Sequence, residues 1–215
     1  MYKNYLKNVY LSVLLTFVGC QLDKTLLTED IPQGNFIGKI CDENGNPVND
    51  AAVYLIPEDY SILSDNKILP DSTRSNSTGM FGFEVHRSGK YNLLASSTNR
   101  YAFKKSIPVS AESRLELPEQ RLSEAGSVSG TIHLQDTDNH LSAVILFPGT
   151  NVYAAPQDST GTFVVSNLAM GTYTVRFLSM TSGFAVVETT LTVIAGKNIA
   201  LPPVMIPRKH YSFRL

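Results

Sequence analysis

Residues 158–175 read DSTGTFVVSNLAMGTYTV, a stretch in which two turns alternate with two short apolar segments. Each turn contains a glycine, and each following segment places apolar side chains two residues apart, at Phe163 and Val165 and then at Tyr173 and Val175. A spacing of two is typical of β-strands with one buried face. The stretch therefore predicts a turn, a strand, a second turn and a second strand.

The same pattern occurs earlier in the chain, where residues 76–93 read NSTGMFGFEVHRSGKYNL. Gly38-Lys39-Ile40 precedes this earlier stretch, as Gly130-Thr131-Ile132 precedes the later one. The spacing between matched positions falls from 92 to 82 along the chain, so the first copy carries ten extra residues near 57–71. Matches that keep their order in this way indicate a duplicated domain.

Each copy consists of short strands separated by turns, without a segment of helical periodicity. We predict an all-β protein with two tandem antiparallel β-sandwiches of about seven strands each. In the first copy, Asn44-Gly45 predicts a type I′ hairpin turn, whose two central residues both have positive φ. The predicted ranges are 35–118 for the first sandwich, 119–126 for a linker, 127–204 for the second sandwich and 205–215 for a basic-aromatic tail.

The pattern resembles the carboxypeptidase regulatory-like domains, which are transthyretin-like β-sandwiches. The second copy fits at Asp158-Ser159-Thr160-Gly161-Thr162-Phe163 and at Leu168-Ala169-Met170-Gly171-Thr172-Tyr173-Thr174-Val175. The first copy departs at Asn76 and His86, and it keeps Gly38, Gly79, Phe81, Gly89 and Tyr91. The resemblance implies accessory modules of the kind found beside catalytic domains, in outer-membrane receptors and in surface proteins. A fold of this kind does not by itself define a function.

The first twenty residues have the layout of an export signal. Lys3 and Lys7 precede an apolar run from Val9 to Val18, which is too short to span a bilayer. Phe17-Val18-Gly19-Cys20 resembles the lipobox of bacterial lipoproteins, although Phe17 stands where Leu, Val or Ile is commonest. The resemblance implies a signal peptide at 1–19, cleavage between Gly19 and Cys20, covalent diacylglycerol and N-acyl lipid on Cys20, and a lipidated tether at 20–34.

Two alternatives remain for this segment, an ordinary secretory signal with a chance cysteine and a buried N-terminal helix. Without lipid, Cys20 would be free to form a disulfide with Cys41, the other cysteine of the chain. Strand parity predicts that Cys41 points away from Phe36 and Ile40 and is partly exposed. Gln21 replaces the Asp that favours inner-membrane retention in enterobacteria, so the lipoprotein interpretation predicts an outer membrane lipoprotein of the bacterial cell envelope.

Residue types that carry chemistry are present, but they do not form recognisable sites. His86, His133, His140 and His210 lack metal-ligand spacing, which predicts surface histidines. The loop from Asp136 through Asp138 and Asn139 lacks the glycine and glutamate of an EF-type calcium loop and is predicted to be a plain turn. We expect no catalytic residues, no metal site and no cofactor beyond the lipid.

The balance of charged residues limits the kinds of partner that the protein can bind. Eighteen Lys and Arg against nineteen Asp and Glu give a net charge of −1, which argues against nucleic acid as a partner. We predict a lipid-anchored, non-catalytic interaction or structural module that binds another envelope protein or a surface polymer. The alternatives are an accessory-domain protein of an envelope enzyme or receptor system, and a carbohydrate-binding lipoprotein in which Tyr60, Tyr101 and Tyr153 stack on sugars. The 205–215 tail is either a partner-docking strand, a contact with anionic lipid, or a frayed end.

Overall fold

A computed structural model describes residues 32–63 and 69–209, and the predicted signal peptide, Gly19, Cys20 and most of the tether lie outside these ranges. Two tandem β-sandwiches account for the described residues, which confirms the predicted fold class. In these ranges no helix is both long and apolar enough to pass through a membrane.

The first sandwich contains β1 (Phe36–Cys41), β2 (Ala52–Pro57), β3 (Asp71–Arg74), β4 (Met80–Phe83), β5 (Gly89–Ser97), β6 (Arg100–Val109), β7 (Leu115–Glu116), β8 (Gln120–Arg121) and β9 (Ser123–Glu124). The second contains β10 (Gly126–Leu134), β11 (Ala143–Leu146), β12 (Tyr153–Ala154), β13 (Thr162–Leu168), β14 (Gly171–Ser179), β15 (Val187–Val193), β16 (Asn198–Ala200) and β17 (Val204–Ile206).

Each sandwich has two facing sheets with corresponding strand orders. The first sandwich has a β4-β1-β7 sheet, to which β8 adds by pairing with β1, and a β3-β2-β5-β6-β9 sheet. The second has a β13-β10-β16 sheet, in which β17 also pairs with β10, and a β12-β11-β14-β15 sheet. The pairings are antiparallel except that the closing strands β7, β8, β16 and β17 run parallel to the first strand of their copy. Parallel pairing requires a long crossover, and here the other strands of each copy provide it.

The two cores are built from the apolar positions that the repeat has in common. Phe36 and Phe81 are almost completely buried in the first core, and Ile132 and Phe163 in the second. Burying a side chain of this size contributes about 1.5–3 kcal/mol. The packing of the first core also explains why residue 38 is a glycine, because a Cβ on Gly38 would lie 2.6 Å from the Phe81 ring.

The Ser-Thr-Gly turns have the same hydrogen bonds in both copies. Asn76 Oδ1 accepts from the Thr78 N–H at 3.0 Å and from the Met80 N–H at 2.9 Å. Asp158 Oδ1 accepts from the equivalent amides, and the hydrogen bond that the Thr160 hydroxyl donates to it is the main reason that the pKa of this carboxyl lies below its usual value. The change from Asp to Asn between the copies therefore preserves the acceptor that the turn needs.

The predicted type I′ turn at Asn44-Gly45 is wrong. Among these two residues only Gly45 has positive φ, at 86°. Asp42 organises the turn instead, since its Oδ1 accepts from the N–H groups of Asn44 and Asn46 at 2.9 and 2.8 Å. Hydrogen bonds to the Asp42 side chain thus hold this turn without the positive φ at Asn44 that a type I′ turn requires.

The segment predicted as a linker is largely part of the first sandwich. Strands β8 and β9 lie within it, and Leu122 between them is only 1% exposed in the first core. The charged residues around Leu122 lie on the outer side of these short strands, which made the stretch resemble a linker. The start of the predicted tail is likewise folded, because β17 extends to Ile206 and Arg208 bridges to Phe184. Residues 210–215 lie outside the described ranges.

Candidate functional site

A buried amide connects the two sandwiches. Asn92 lies on β5 between Tyr91 and Leu93, which point into the first core, so its side chain projects from the opposite face of the sheet. It is nevertheless only 1% exposed, and its Nδ2 donates to the Gly149 carbonyl of the second sandwich at 2.8 Å. Its Oδ1 accepts from the Ser106 N–H at 2.8 Å. Both ends of the amide are therefore used, as burial of a polar group requires.

A bulge in β6 supplies the second of these partners. The pairing of β5 with β6 shifts register between Tyr91 and Leu93, and Ser106 has a φ of 59°. A bulge removes a backbone group from its place in the ladder. The Ser106 N–H released in this way bonds to Asn92, so the strand irregularity and the buried amide form one arrangement.

The second sandwich reaches Asn92 through a turn that requires glycine. Gly149 has a φ of 73°, and a Cβ at this position would lie within 3 Å of both Asn92 Nδ2 and the Glu58 carbonyl oxygen. Its N–H donates to the Tyr60 carbonyl at 2.7 Å. Glu58 and Tyr60 lie in the segment 57–71, within which the first copy carries its extra residues. The segment that contains the insertion therefore contacts the second sandwich.

An aromatic pair packs at the same boundary. Phe103 on β6 and Tyr173 on β14 have ring centroids 4.5 Å apart and planes inclined by 11°. Tyr173 is 2% exposed, its hydroxyl donates to the Ala169 carbonyl at 2.9 Å, and its burial raises the pKa of the phenol above its usual range. Stacked pairs of this kind contribute about 0.5–1.5 kcal/mol beyond area burial. We call Asn92, Ser106, Gly149, Phe103 and Tyr173 the junction.

Sequence reasoning missed the junction. By strand alternation, Asn92 and Phe103 point away from the core of the first sandwich. The sequence alone therefore predicts that both side chains are exposed at the surface. The usable signal was the insertion near residues 57–71, because an extra segment in one copy needs a contact that the other copy lacks.

The prediction of surface histidines is correct for His86 and wrong for His140. His140 is 7% exposed, and its Nδ1 accepts from the Leu134 N–H at 3.1 Å. The loop after β10 folds back over the strand and places this ring 3.2 Å, Nε2 to Nδ1, from His133. His210 lies outside the described residues.

The acidic loop between β10 and β11 is held by its own side chains. Thr137 Oγ1 accepts from the Asn139 N–H, and Asn139 Oδ1 accepts from the Leu141 N–H. Across residues 32–63 and 69–209, no three His, Cys, Asp or Glu side chains come together in a group suited to a metal ion.

The predicted partial exposure of Cys41 is wrong, because this thiol is completely buried. The chain returns beside this part of the strand through β8, which pairs with β1 at Ile40 and Cys41, and Glu119 just before β8 hydrogen-bonds with the thiol. Burial raises the pKa of the Cys41 thiol, and a hydrogen bond with Glu119 adds to the rise.

The three tyrosines considered for sugar binding lie on separate elements. Tyr60 follows β2 and is half-buried, whereas Tyr153 on β12 is 59% exposed. Tyr101 on β6 lines a cleft of about 540 Å³ together with Glu119, Arg121 and Met170. The structure therefore does not bring the three rings into one platform.

No protein-family model and no curated protein matches the chain, so the carboxypeptidase regulatory-like family stays a resemblance. Similar solved structures include GBS52, the minor pilin of Streptococcus agalactiae, at 13% identity over 85% of this chain and 99% of that chain, with a TM-score of 0.38. A streptococcal ancillary pilin is 12% identical over 81% of this chain and 62% of its own length, with a TM-score of 0.39. The shaft pilin SpaA of Lactobacillus rhamnosus GG is 10% identical over 82% and 97%, with a TM-score of 0.29.

Proposed function

We propose that this chain is a non-catalytic module of the bacterial cell envelope, held by lipid on Cys20, in which two locked sandwiches present one fixed surface. The partner is another envelope protein or a surface polymer. The observation that carries the proposal is the hydrogen bond from Asn92 to Gly149, because a buried amide shared by two domains opposes their independent movement. Domains joined in one chain otherwise move relative to one another by default.

The use of the repeated residues supports a structural role. Asn76 and Asp158 hold turns, Gly38 makes room for a core ring, and Tyr91 and Tyr173 each donate a hydroxyl to the carbonyl four residues earlier. The residues that define the sequence pattern thus serve to hold turns and to pack the cores. A fixed arrangement of two small domains suits a module that must keep the binding surfaces of its two domains at a set distance and angle from one another.

Nitrogen-15 relaxation on the full chain in detergent micelles tests the locked arrangement. If the junction locks the sandwiches, their amides report one shared rotational correlation time. Asn92→Ala combined with Phe103→Ala should separate it into two shorter values, whereas the exposed loop variant Asn139→Ala should leave it unchanged. Two different correlation times in the unmodified chain would refute the proposal.

Carbohydrate binding is the second candidate, and the cleft beside Tyr101 is the observation that favours it. A half-exposed aromatic ring next to the side chains of Glu119, Gln120 and Arg121 combines a stacking face with hydrogen-bonding groups. Retention of the full chain on immobilised polysaccharides, lost in Tyr101→Ala and kept in Tyr153→Ala, would support this candidate. Retention that is the same for both variants would exclude the cleft.

A further inference from the structure

Two histidines of the second sandwich form a hydrogen-bonded chain with the backbone. The Leu134 N–H donates to His140 Nδ1 at 3.1 Å, and His140 Nε2 lies 3.2 Å from His133 Nδ1. The two rings meet edge to face, with centroids 4.9 Å apart. His140 is buried, whereas His133 is half-buried and has access to solvent.

The backbone bond determines where the protons are. Because His140 Nδ1 accepts a hydrogen bond, it carries a lone pair, and the proton of the neutral ring is on Nε2. That Nε2–H then donates to His133 Nδ1, which must also carry a lone pair. The arrangement therefore exists only while both rings are neutral. It also disfavours a metal between the rings, since His140 Nε2 has no free lone pair.

The first copy makes the corresponding bond without a titratable group. Leu134 corresponds to Asp42 at the spacing of 92 residues that relates Gly130 to Gly38. The Asp42 N–H donates to the Asn46 carbonyl at 2.9 Å, and this acceptor does not titrate. In the second copy an imidazole has taken the place of that carbonyl.

The loop that carries His140 also contacts the C-terminal segment. Gln135 Oε1 accepts from the Arg208 N–H at 2.9 Å, and the Gln135 N–H donates to the Ile206 carbonyl at 3.0 Å. Arg208 also lies over the Phe184 ring, at 4.6 Å from its centroid. A change in the loop would therefore reach the residues that close the second sandwich.

The charged groups around the pair come from three elements. Asp136 and Asp138 lie in the same loop, Asp158 lies in the turn whose Ser159 carbonyl accepts from the His140 N–H, and Arg208 follows β17. Strand β17 itself places Met205 opposite His133, and β13 places Thr162 opposite Thr131. Within this group, Asp136 forms an ion pair with Arg208, with 4.0 Å between Oδ2 and Nε.

We propose that His133 and His140 form an acid-sensitive latch, which holds residues 135–142 against β10 at neutral pH and releases them when the rings are protonated. A proton on His133 Nδ1 removes the acceptor of the His140 Nε2–H and sets two N–H groups against each other. A proton on His140 Nδ1 removes the acceptor of the Leu134 N–H. Protonation of either ring is therefore incompatible with the latched arrangement, and acid favours the open loop.

Amide hydrogen exchange on the full chain tests the latch, with Asp42 as an internal control. After correction for intrinsic rates, we expect protection of the Leu134 amide to fall at least about tenfold between pH 7.5 and 5.5, while protection of the Asp42 amide stays constant. His140→Gln should abolish this difference, and His86→Gln, at an exposed histidine of the first sandwich, should retain it. Parallel behaviour of Leu134 and Asp42 in the unmodified chain would overturn the proposal.

Imidazole nitrogen shifts give a second measurement that needs no variant. At pH 7.5 both rings should be neutral, with the proton on Nε2. A His140 ring that carries its proton on Nδ1 would contradict the hydrogen-bonded chain, even if the glutamine variant failed to fold.

Discussion

Asn92 and Gly149 belong to different sandwiches, yet the side-chain amide of one donates to the main-chain carbonyl of the other at 2.8 Å. The contact depends on the absence of a side chain at Gly149 and on the bulge that frees the Ser106 N–H. The Asn92 side chain, on the outer face of its sheet, is therefore only 1% exposed.

Gly149→Ala should destabilise the protein more than Gly45→Ala. Both glycines have positive φ, which costs an alanine about 1–2 kcal/mol. At Gly149 the new Cβ would also collide with Asn92 and Glu58, whereas at Gly45 the nearest side-chain atom is 3.8 Å away. Urea unfolding should therefore place Gly45→Ala between the unmodified chain and Gly149→Ala. Equal losses would mean that the junction adds nothing to stability.

Leu122→Ala should cost about 2–4 kcal/mol, although this residue lies in the segment that resembles a linker. Its side chain is 1% exposed in the first core. Leu141→Ala is the matched control, because Leu141 is 50% exposed and its truncation should change stability by less than about 0.5 kcal/mol. Denaturant midpoints measure both, and a Leu122 variant as stable as the control would show that 119–126 is a linker after all.

Asp42 should make stability depend on pH below about 4. Hydrogen bonds, first of all from Asn46, hold its pKa below the ordinary value of 3.8. A lowered pKa in the folded state means that the carboxylate stabilises the fold above the unfolded pKa, and that this contribution is lost as pH falls through the folded one. Asp42→Asn keeps an acceptor at Oδ1, as Asn76 does, but it does not titrate.

Unfolding midpoints at pH 5 and pH 3 should therefore differ less in Asp42→Asn than in the unmodified chain. Asp59→Asn, on an exposed carboxylate in the turn after β2, should retain the full difference. An Asp42 variant with an unchanged pH profile would contradict this account of the turn.

Cys41 should be inert to thiol reagents in the folded protein. The thiol is completely buried and its pKa is raised, so both access and the thiolate fraction are reduced. Reaction with an aromatic disulfide reagent should be at least about a hundredfold slower in buffer than in denaturant. Rapid labelling of the native chain at Cys41 would place the thiol at the surface, as strand parity alone predicts.

Cys20→Ala should release the protein from membranes if the lipobox resemblance is correct. Several acyl chains on one residue anchor stably, since each buried methylene contributes about 0.8 kcal/mol. Globomycin, which blocks lipoprotein signal peptidase, should prevent maturation of the unmodified chain. Cys41→Ala is the control and should remain membrane-bound, while an unchanged membrane fraction for Cys20→Ala would contradict lipid anchoring.

The sequence was sufficient for features that depend on nearby residues. The turns at Gly79 and Gly161 follow from local needs, namely a positive φ and a short side-chain acceptor three residues earlier. The alternation at Phe163 and Val165 likewise reports which face of the strand is buried. These signals led from one stretch to the fold class of the whole described chain.

Features that depend on distant segments were not predictable in the same way. Cys41 is buried where residues near 120 return along β1, and His140 lies between β10 and the later turn that carries Ser159. The alternation of residues along a strand predicts on which face of the sheet each side chain lies. It does not predict whether a later segment of the chain covers the outer face. The junction has the same character, since Asn92 is buried by a turn more than fifty residues further along the chain.

The parallel pairing of β7 and β8 with β1 has a consequence for the order in which the chain can fold. A polypeptide is synthesised from its N-terminus, so Phe36 and its neighbours are made first, and one side of their strand stays unpaired until residues 115–121 follow. The second sandwich repeats the delay, and β10 is completed only by Val204–Ile206 near the end of the chain. Long-range closure of this kind is slow and leaves a strand edge open meanwhile. Each sandwich is thus most vulnerable to proteases and to wrong pairing just before its last few residues arrive.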